Sequence, residues 1–87
     1  MKIQSMESPR TGKAVANQVI VIDNGVKIFF SYGTCIAQVH NGAVTLDATY
    51  WNYSKTTSKY RSQFLGETTK ETQAKIDSGE YVLTNLN

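Results

Sequence analysis

The chain has 87 residues, of which 40% are hydrophobic and 18% charged, and its formal net charge is +2. At this length it is one domain, and folding removes only about 60 to 65% of the surface that the unfolded chain exposes. Self-association into a homodimer or a higher homo-oligomer is therefore a candidate second source of burial. No apolar run is long enough for a membrane span and no apolar secretory segment is present, so we expect no membrane partner and a cytoplasmic location.

The single cysteine and the single histidine indicate neither a disulfide nor a metal site. Cys35 lies in an apolar stretch, where a small buried side chain is the expected role. His40 stands beside a turn sequence, and a zinc site needs several such ligands. We expect the protein to bind no metal and no cofactor.

Residues 1–15 show no hydrophobic periodicity and are predicted to form an arm or loop. Turn-forming residues and cations follow one another from Ser8 to Lys13, so Arg10 and Lys13 are candidates for contact with an anion. A disordered end is the alternative. The pair Gly12-Lys13 lacks the earlier glycine and the preceding strand of a phosphate-binding loop.

Residues 16–49 are predicted to form a four-stranded β-meander. Two Asn-Gly pairs, Asn24-Gly25 and Asn41-Gly42, separate runs of β-branched and aromatic residues. Asn-Gly favours a tight hairpin turn because both central positions of that turn need a positive φ. Two successive antiparallel hairpins follow from this pattern.

Two short helices are predicted after the meander, at 54–65 and 68–78. In the first helix, an apolar face recurs at spacings of three and four residues and Gly66 provides a stop. The residues of that face are Tyr53, Thr57, Tyr60 and Phe64. In the second, Thr68 and Glu71 match a capping box.

Residues 80–86 are predicted to form the last strand. The whole is an α+β fold: one domain, 1–87, with an antiparallel sheet of four to five strands packed against one or two short C-terminal helices.

The stretch from Tyr50 to Leu65 has the strongest functional character. It contains five of the nine aromatic residues and three cations, with no acidic residue. Aromatic rings that stack on bases, beside cations that neutralise phosphates, are typical of nucleotide and nucleic-acid sites. The candidate ligand-binding residues are Tyr50, Trp51, Tyr53, Lys55, Thr56, Thr57, Lys59, Arg61, Arg10 and Lys13.

The same stretch also fits an ordinary amphipathic helix that buries its aromatic residues and exposes its lysines. An enzyme is not expected, because the acidic residues are scattered among turns and helix ends with no nucleophile and base at a useful spacing.

Several blocks of the chain carry a resemblance to known sequences. They are Pro9–Lys13, Val15–Gln18, Tyr50–Arg61 with its YSKTTSKYR core, Phe64–Glu67 and Ser78–Leu83 with the closing Asn85–Asn87. In these blocks the chain resembles a family of small uncharacterised proteins encoded mainly by bacteriophages. The resemblance implies a setting in the cytoplasm of a host cell, where short phage proteins often inhibit or divert a host factor.

Three functions remain open on this basis. The first is a non-enzymatic protein that binds a phosphate-bearing ligand, either a nucleotide signal or a nucleic acid, in host takeover or counter-defence. The second is an inhibitor that binds a host or defence protein directly, in the manner of anti-CRISPR proteins. The third is a small virion or assembly component whose basic stretch is only a solvated surface.

Overall fold

Six strands form one sheet whose order in space is their order along the chain. The computed structural model describes all residues, 1–87. Its elements are β1 (Lys2–Glu7), β2 (Ala14–Asp23), β3 (Val26–Ser31), β4 (Thr34–His40), β5 (Ala43–Asp47), α1 (Lys55–Leu65), α2 (Thr69–Asp77) and β6 (Val82–Thr84). Strands β1 to β5 are antiparallel neighbours, whereas β6 runs parallel to β5. The α+β prediction is confirmed, with six strands instead of four or five.

Both predicted Asn-Gly turns are present. Asn24 and Gly25 have φ of 50° and 81°, and Asn41 and Gly42 have φ of 52° and 77°. These left-handed pairs are the backbone that a two-residue hairpin turn requires. Strands β2 to β5 pair with their neighbours as two successive antiparallel hairpins, so the predicted four-stranded β-meander is confirmed.

The prediction of an arm or loop over residues 1–15 is wrong for its first half. Residues Lys2–Glu7 form strand β1, which pairs with β2, and β2 itself begins at Ala14. Met6 is buried in the core and fixes the strand against the helix side of the sheet. Local sequence could not predict this strand, because its apolar residues are few and pairing with β2 supplies the order.

The core lies between the sheet and the two helices. Phe29, Ala37 and Leu46 are fully buried on one face of the sheet, and the ring of Phe29 stacks on Phe64 of α1 at 5.7 Å between centroids. Thr57 and Tyr60 are buried beside it, as predicted for the apolar face of α1. Tyr53, the fourth residue of that predicted face, precedes the helix and is exposed.

Strand β6 is shorter than the predicted strand over 80–86, and it returns to the sheet through a crossover that contains both helices. The capping box at the start of α2 is present, with Thr68 and Glu71 each accepting from the other's backbone amide. Gly66 ends α1 in the left-handed conformation. Neither helix has the length and apolar character needed to cross a membrane.

One buried side chain in the sheet lacks hydrogen-bond partners. Gln18 is fully buried, and neither its Oε1 nor its Nε2 is hydrogen-bonded within the protein. An unsatisfied buried polar group costs about 1–3 kcal/mol. We therefore expect Gln18→Met, which is of similar shape, to raise the free energy of unfolding in urea by about 1 kcal/mol or more. A loss of stability instead would mean that the amide does find partners in solution.

Candidate ligand pocket at the amino terminus of helix α1

A pocket of about 290 Å³ opens beside the first turn of α1. Three tyrosines dominate its wall, so we call it the tyrosine pocket. Its lining residues are Ser31, Tyr32, Thr34, Ile36, Tyr50, Tyr53, Ser54 and Thr57. They come from the end of β3, the start of β4, the segment after β5 and the start of α1.

The helix begins here because Ser54 caps it. Ser54 has extended backbone angles, and its hydroxyl accepts from the amide of Thr57 at 3.2 Å. The other first-turn amides have no intrahelical acceptor, as at any helix amino terminus. No acidic side chain occupies this first turn, and Lys55 is exposed next to it. The local field therefore favours an anion.

The rings of Tyr50 and Tyr53 form one wall of the pocket. They meet edge to face, with centroids 5.3 Å apart and planes at 62°. Tyr53 is 71% exposed, whereas Tyr50 is half-buried against the core. A flat ring with one free face can stack on a nucleobase or another planar group.

Tyr32 lines the pocket from an unusual backbone position. It has a φ of 52° in the two-residue turn Tyr32-Gly33, where a short residue such as asparagine is usual. Its amide donates to the carbonyl of Asn17 at 2.8 Å, which holds the turn in place. The Tyr32 side chain is 62% exposed. A bulky side chain kept in a left-handed conformation costs about 1–3 kcal/mol, and such strain is concentrated at functional sites.

The floor of the pocket is polar. The hydroxyls of Ser31 and Thr57 lie 3.0 Å apart, and the hydroxyl of Ser54 donates to that of Thr57 at 3.2 Å. Ser31 and Thr57 are both buried. The pocket thus combines aromatic walls with hydroxyl groups that can accept or donate a hydrogen bond.

Asp47 fixes the segment that presents Tyr50. Its Oδ2 accepts from the amides of Thr49 at 3.1 Å and Tyr50 at 2.8 Å. Burial alone would raise the pKa of Asp47, but the hydrogen bonds from the amides of Leu86 and Tyr50, among others, outweigh it and lower that pKa below its ordinary value. A charged Asp47 therefore holds Tyr50 in the wall of the pocket.

The structure corrects the predicted role of Arg61. This side chain was expected at the surface with Lys55 and Lys59, but it is fully buried. Its Nη1 donates to the carbonyl of Trp51 at 2.7 Å, and its Nη2 donates to Thr69 Oγ1 at 2.7 Å. Arg61 therefore ties the segment before α1 to the start of α2 and does not reach a ligand at the surface.

Trp51 is the partner of Arg61 and does not line the pocket. The guanidinium lies 5.0 Å from the centroid of the indole ring, and the ring packs against the core. Burial lowers the pKa of Arg61, and the charge of Glu67 opposes that change. Trp51 is better explained as a support for the buried cation than as a stacking platform.

The remaining predicted ligand-binding residues lie in two places, on α1 and in the β1–β2 loop. Thr56 and Lys59 are exposed on α1, with the Lys59 ammonium 5.4 Å from the ring centroid of its neighbour Tyr60. Arg10 and Lys13 are exposed in the β1–β2 loop, at the same end of the sheet as the pocket but outside its lining. With Arg61 buried, the candidate cations that remain at the surface are Lys55, Lys59, Arg10 and Lys13, of which Lys55 is adjacent in sequence to the lining residue Ser54.

A family match covers most of the chain. The model of a family of unknown function, DUF8033, matches residues 1–80. The chain belongs to this family. No curated protein and no solved structure is significantly similar to it.

Sequence reasoning missed the β3–β4 side of the pocket in this DUF8033 protein. Tyr50, Tyr53 and Thr57 were predicted, whereas Ser31, Tyr32, Thr34, Ile36 and Ser54 were not among the candidate ligand-binding residues. The available signal was Tyr32-Gly33, a turn dipeptide with a bulky first residue. Its meaning becomes visible only in the tertiary structure, where Tyr32 and the start of α1 line the same pocket.

Proposed function

We propose that the protein is a non-enzymatic binder of a nucleotide unit, with the base in the tyrosine pocket and the phosphate at the amino terminus of α1. The observation that carries this proposal is the placement of three tyrosines around one cavity beside a capped helix start. Aromatic rings supply sequence-tolerant stacking, and helix amides together with Lys55 supply an anion site.

The size of the cavity limits the ligand. At about 290 Å³ it is at the lower end of small-molecule pockets. Such a volume suits one base or nucleoside and leaves the phosphate outside, near Lys55. The unit could belong to a free nucleotide signal or to one residue of a single-stranded nucleic acid, and the chemistry recognised is the same.

The resemblance to bacteriophage proteins supports a biological setting for this binder. A small phage protein that holds a nucleotide or a strand can sequester a host or defence signal without any chemical step. If no nucleotide or oligonucleotide binds, direct inhibition of a host or defence protein is the next hypothesis to test.

Calorimetric titration of the four nucleoside monophosphates and of short single-stranded RNA and DNA tests the proposal. We expect Tyr53→Ala to weaken binding about 10- to 100-fold, because stacking on one ring is worth about 1–3 kcal/mol. Tyr53→Phe keeps the ring and should bind within about threefold of the wild type, a difference of less than 1 kcal/mol.

Two lysines on α1 provide a matched charge control. Lys55→Glu lies in the first turn and is expected to weaken binding, whereas Lys59→Glu lies one turn later and should change it little. Tight binding of an oligonucleotide but not of monophosphates would assign the nucleic acid as ligand, and the reverse would assign the free nucleotide. Unchanged affinity in Tyr53→Ala would contradict the proposal.

A further inference from the structure

The face of the sheet opposite the helices carries an uncharged row across all six strands. The register of strand pairing aligns the residues of this row side by side. In order from β1 to β6 they are Ile3, Val21, Ile28, Gln38, Thr45 and Val82. A shorter row beside it contains Ser5, Val19 and Phe30. We call the two rows together the open face.

No helix covers the open face. The contacts of α1 are with the other side of β3, through Phe29 and Ser31. The residues after β6 are fastened at β4 and β5, where Asn87 bonds to the backbone of Cys35 and to Asp47. Neither a helix nor these last residues cover the β1–β3 part of the open face, which holds most of its apolar side chains. There Ile3 is 64% exposed, and Val19, Val21, Ile28 and Phe30 are partly exposed.

We propose that a second copy of the chain covers the open face and forms a symmetric, face-to-face homodimer. A two-fold interface places the same patch against itself, so any charge in the patch would meet a like charge. The two rows of the open face contain no lysine, arginine, aspartate or glutamate. The adjoining row on the same side of the sheet contains His40 and Asp23, and the Asp23 carboxylate lies 3.8 Å from the amino-terminal ammonium, so this charge is paired within the chain and stays at the border of the contact. A highly charged partner would instead lose its hydration there without gaining an ion pair.

The arrangement of side chains matches the anatomy of a protein interface. The apolar residues of β1, β2 and β3 lie together, and Ser5, Gln38 and Thr45 border them. An apolar centre with a polar rim is the usual composition of such contacts. Two pleated faces of β-branched residues can interdigitate as in a β-sandwich.

The area suits a reversible dimer. Six strands at about 4.8 Å spacing make this side of the sheet about 29 Å wide, and strands of about six residues make it about 20 Å long, a footprint of about 600 Å² that includes the residues flanking the open face. This footprint is below the about 800 Å² per partner of a standard interface, so we expect a dimer that dissociates on dilution. The tyrosine pocket lies on the helix side and stays open in this dimer.

Sedimentation of the wild type across a dilution series, compared with Ile28→Lys, tests the dimer. We expect the wild type to sediment at twice the chain mass of 9.7 kDa and to dissociate on dilution. Ile28→Lys introduces two like charges into the centre of the interface and should weaken association at least tenfold. Leu83→Lys is the matched control, because Leu83 is exposed on the helix side of the sheet and should leave dimerisation unchanged.

A second readout keeps the test independent of the folding of Ile28→Lys. Ile3→Cys introduces a thiol at an exposed edge of the open face, while the native Cys35 is buried and serves as the internal baseline. The rate at which a thiol reagent labels the introduced cysteine should fall as the protein concentration rises. A monomer at every concentration, a dimer that Ile28→Lys does not weaken, or a labelling rate independent of concentration would each overturn the proposal.

Discussion

Replacing Arg61 by methionine is expected to lower the free energy of unfolding by about 3 kcal/mol. The guanidinium is fully buried and donates to Trp51 O, Asn52 Oδ1 and Thr69 Oγ1. Methionine fills part of the space but removes the donors of these part-buried hydrogen bonds, and each hydrogen bond to a charged group contributes about 1.5–3 kcal/mol. The change is a large fraction of the total stability of a small domain. Urea denaturation followed by circular dichroism measures it.

Two further substitutions separate the hydrogen bonds of Arg61 from its charge. Arg61→Lys keeps the charge but loses the planar fork, so we expect about half or more of the loss to remain. Lys59→Met removes an exposed cation from the same helix and should change stability by about 0.5 kcal/mol or less. If Arg61→Met were as stable as the wild type, the buried guanidinium would have no structural role.

Replacing Asp47 by asparagine is expected to cost about 3 kcal/mol of stability at neutral pH. Both carboxylate oxygens accept hydrogen bonds, Oδ2 from Thr49 and Tyr50 and Oδ1 from Leu86 and Asn87. In asparagine an NH₂ group replaces one of these two oxygens. Whichever oxygen it replaces, the NH₂ group faces the N–H groups that now donate to that position, and those hydrogen bonds are lost. Because Asp47 holds Tyr50 in the wall of the tyrosine pocket, the same substitution should also weaken ligand binding there.

The contribution of Asp47 should disappear in acid. Burial works to raise its pKa, but the hydrogen bonds outweigh burial, so the pKa in the folded protein lies below the ordinary value. A group with a lowered folded pKa stabilises the protein above its unfolded pKa, which is about 4, and that stabilisation is lost as the pH falls towards the folded pKa. The difference in unfolding free energy between wild type and Asp47→Asn should therefore shrink below about pH 4.

An exposed aspartate provides the control for this titration. Asp77 lies at the end of α2 and accepts one hydrogen bond from the side chain of Gln73. Asp77→Asn should change stability by about 0.5 kcal/mol or less. A constant difference between wild type and Asp47→Asn from neutral pH to pH 3 would contradict the assigned role of Asp47.

The predicted elements succeeded where the information was local. Asn-Gly turns, the capping box at Thr68 and the helix stop at Gly66 each depend on a few adjacent residues, and each is present. The first strand was missed because Lys2–Glu7 has little local preference for β structure and is stabilised as a strand by pairing with β2. The parallel return of β6 was also not predictable, since its partner β5 is separated from it by two helices.

The same distinction between local and long-range information explains why only part of the candidate site was predicted. The sequence by itself determined the turns, the helix bounds and the concentration of aromatic residues near Tyr50, because these depend on residue type and short spacing. Only the tertiary structure decided which side chains face solvent. The Arg61 side chain lies in the interior, where it donates to Trp51 and Thr69. Tyr32 is distant in sequence from α1 but lies in the lining of the same pocket. Burial and convergence depend on long-range packing, which a linear pattern of residues does not contain.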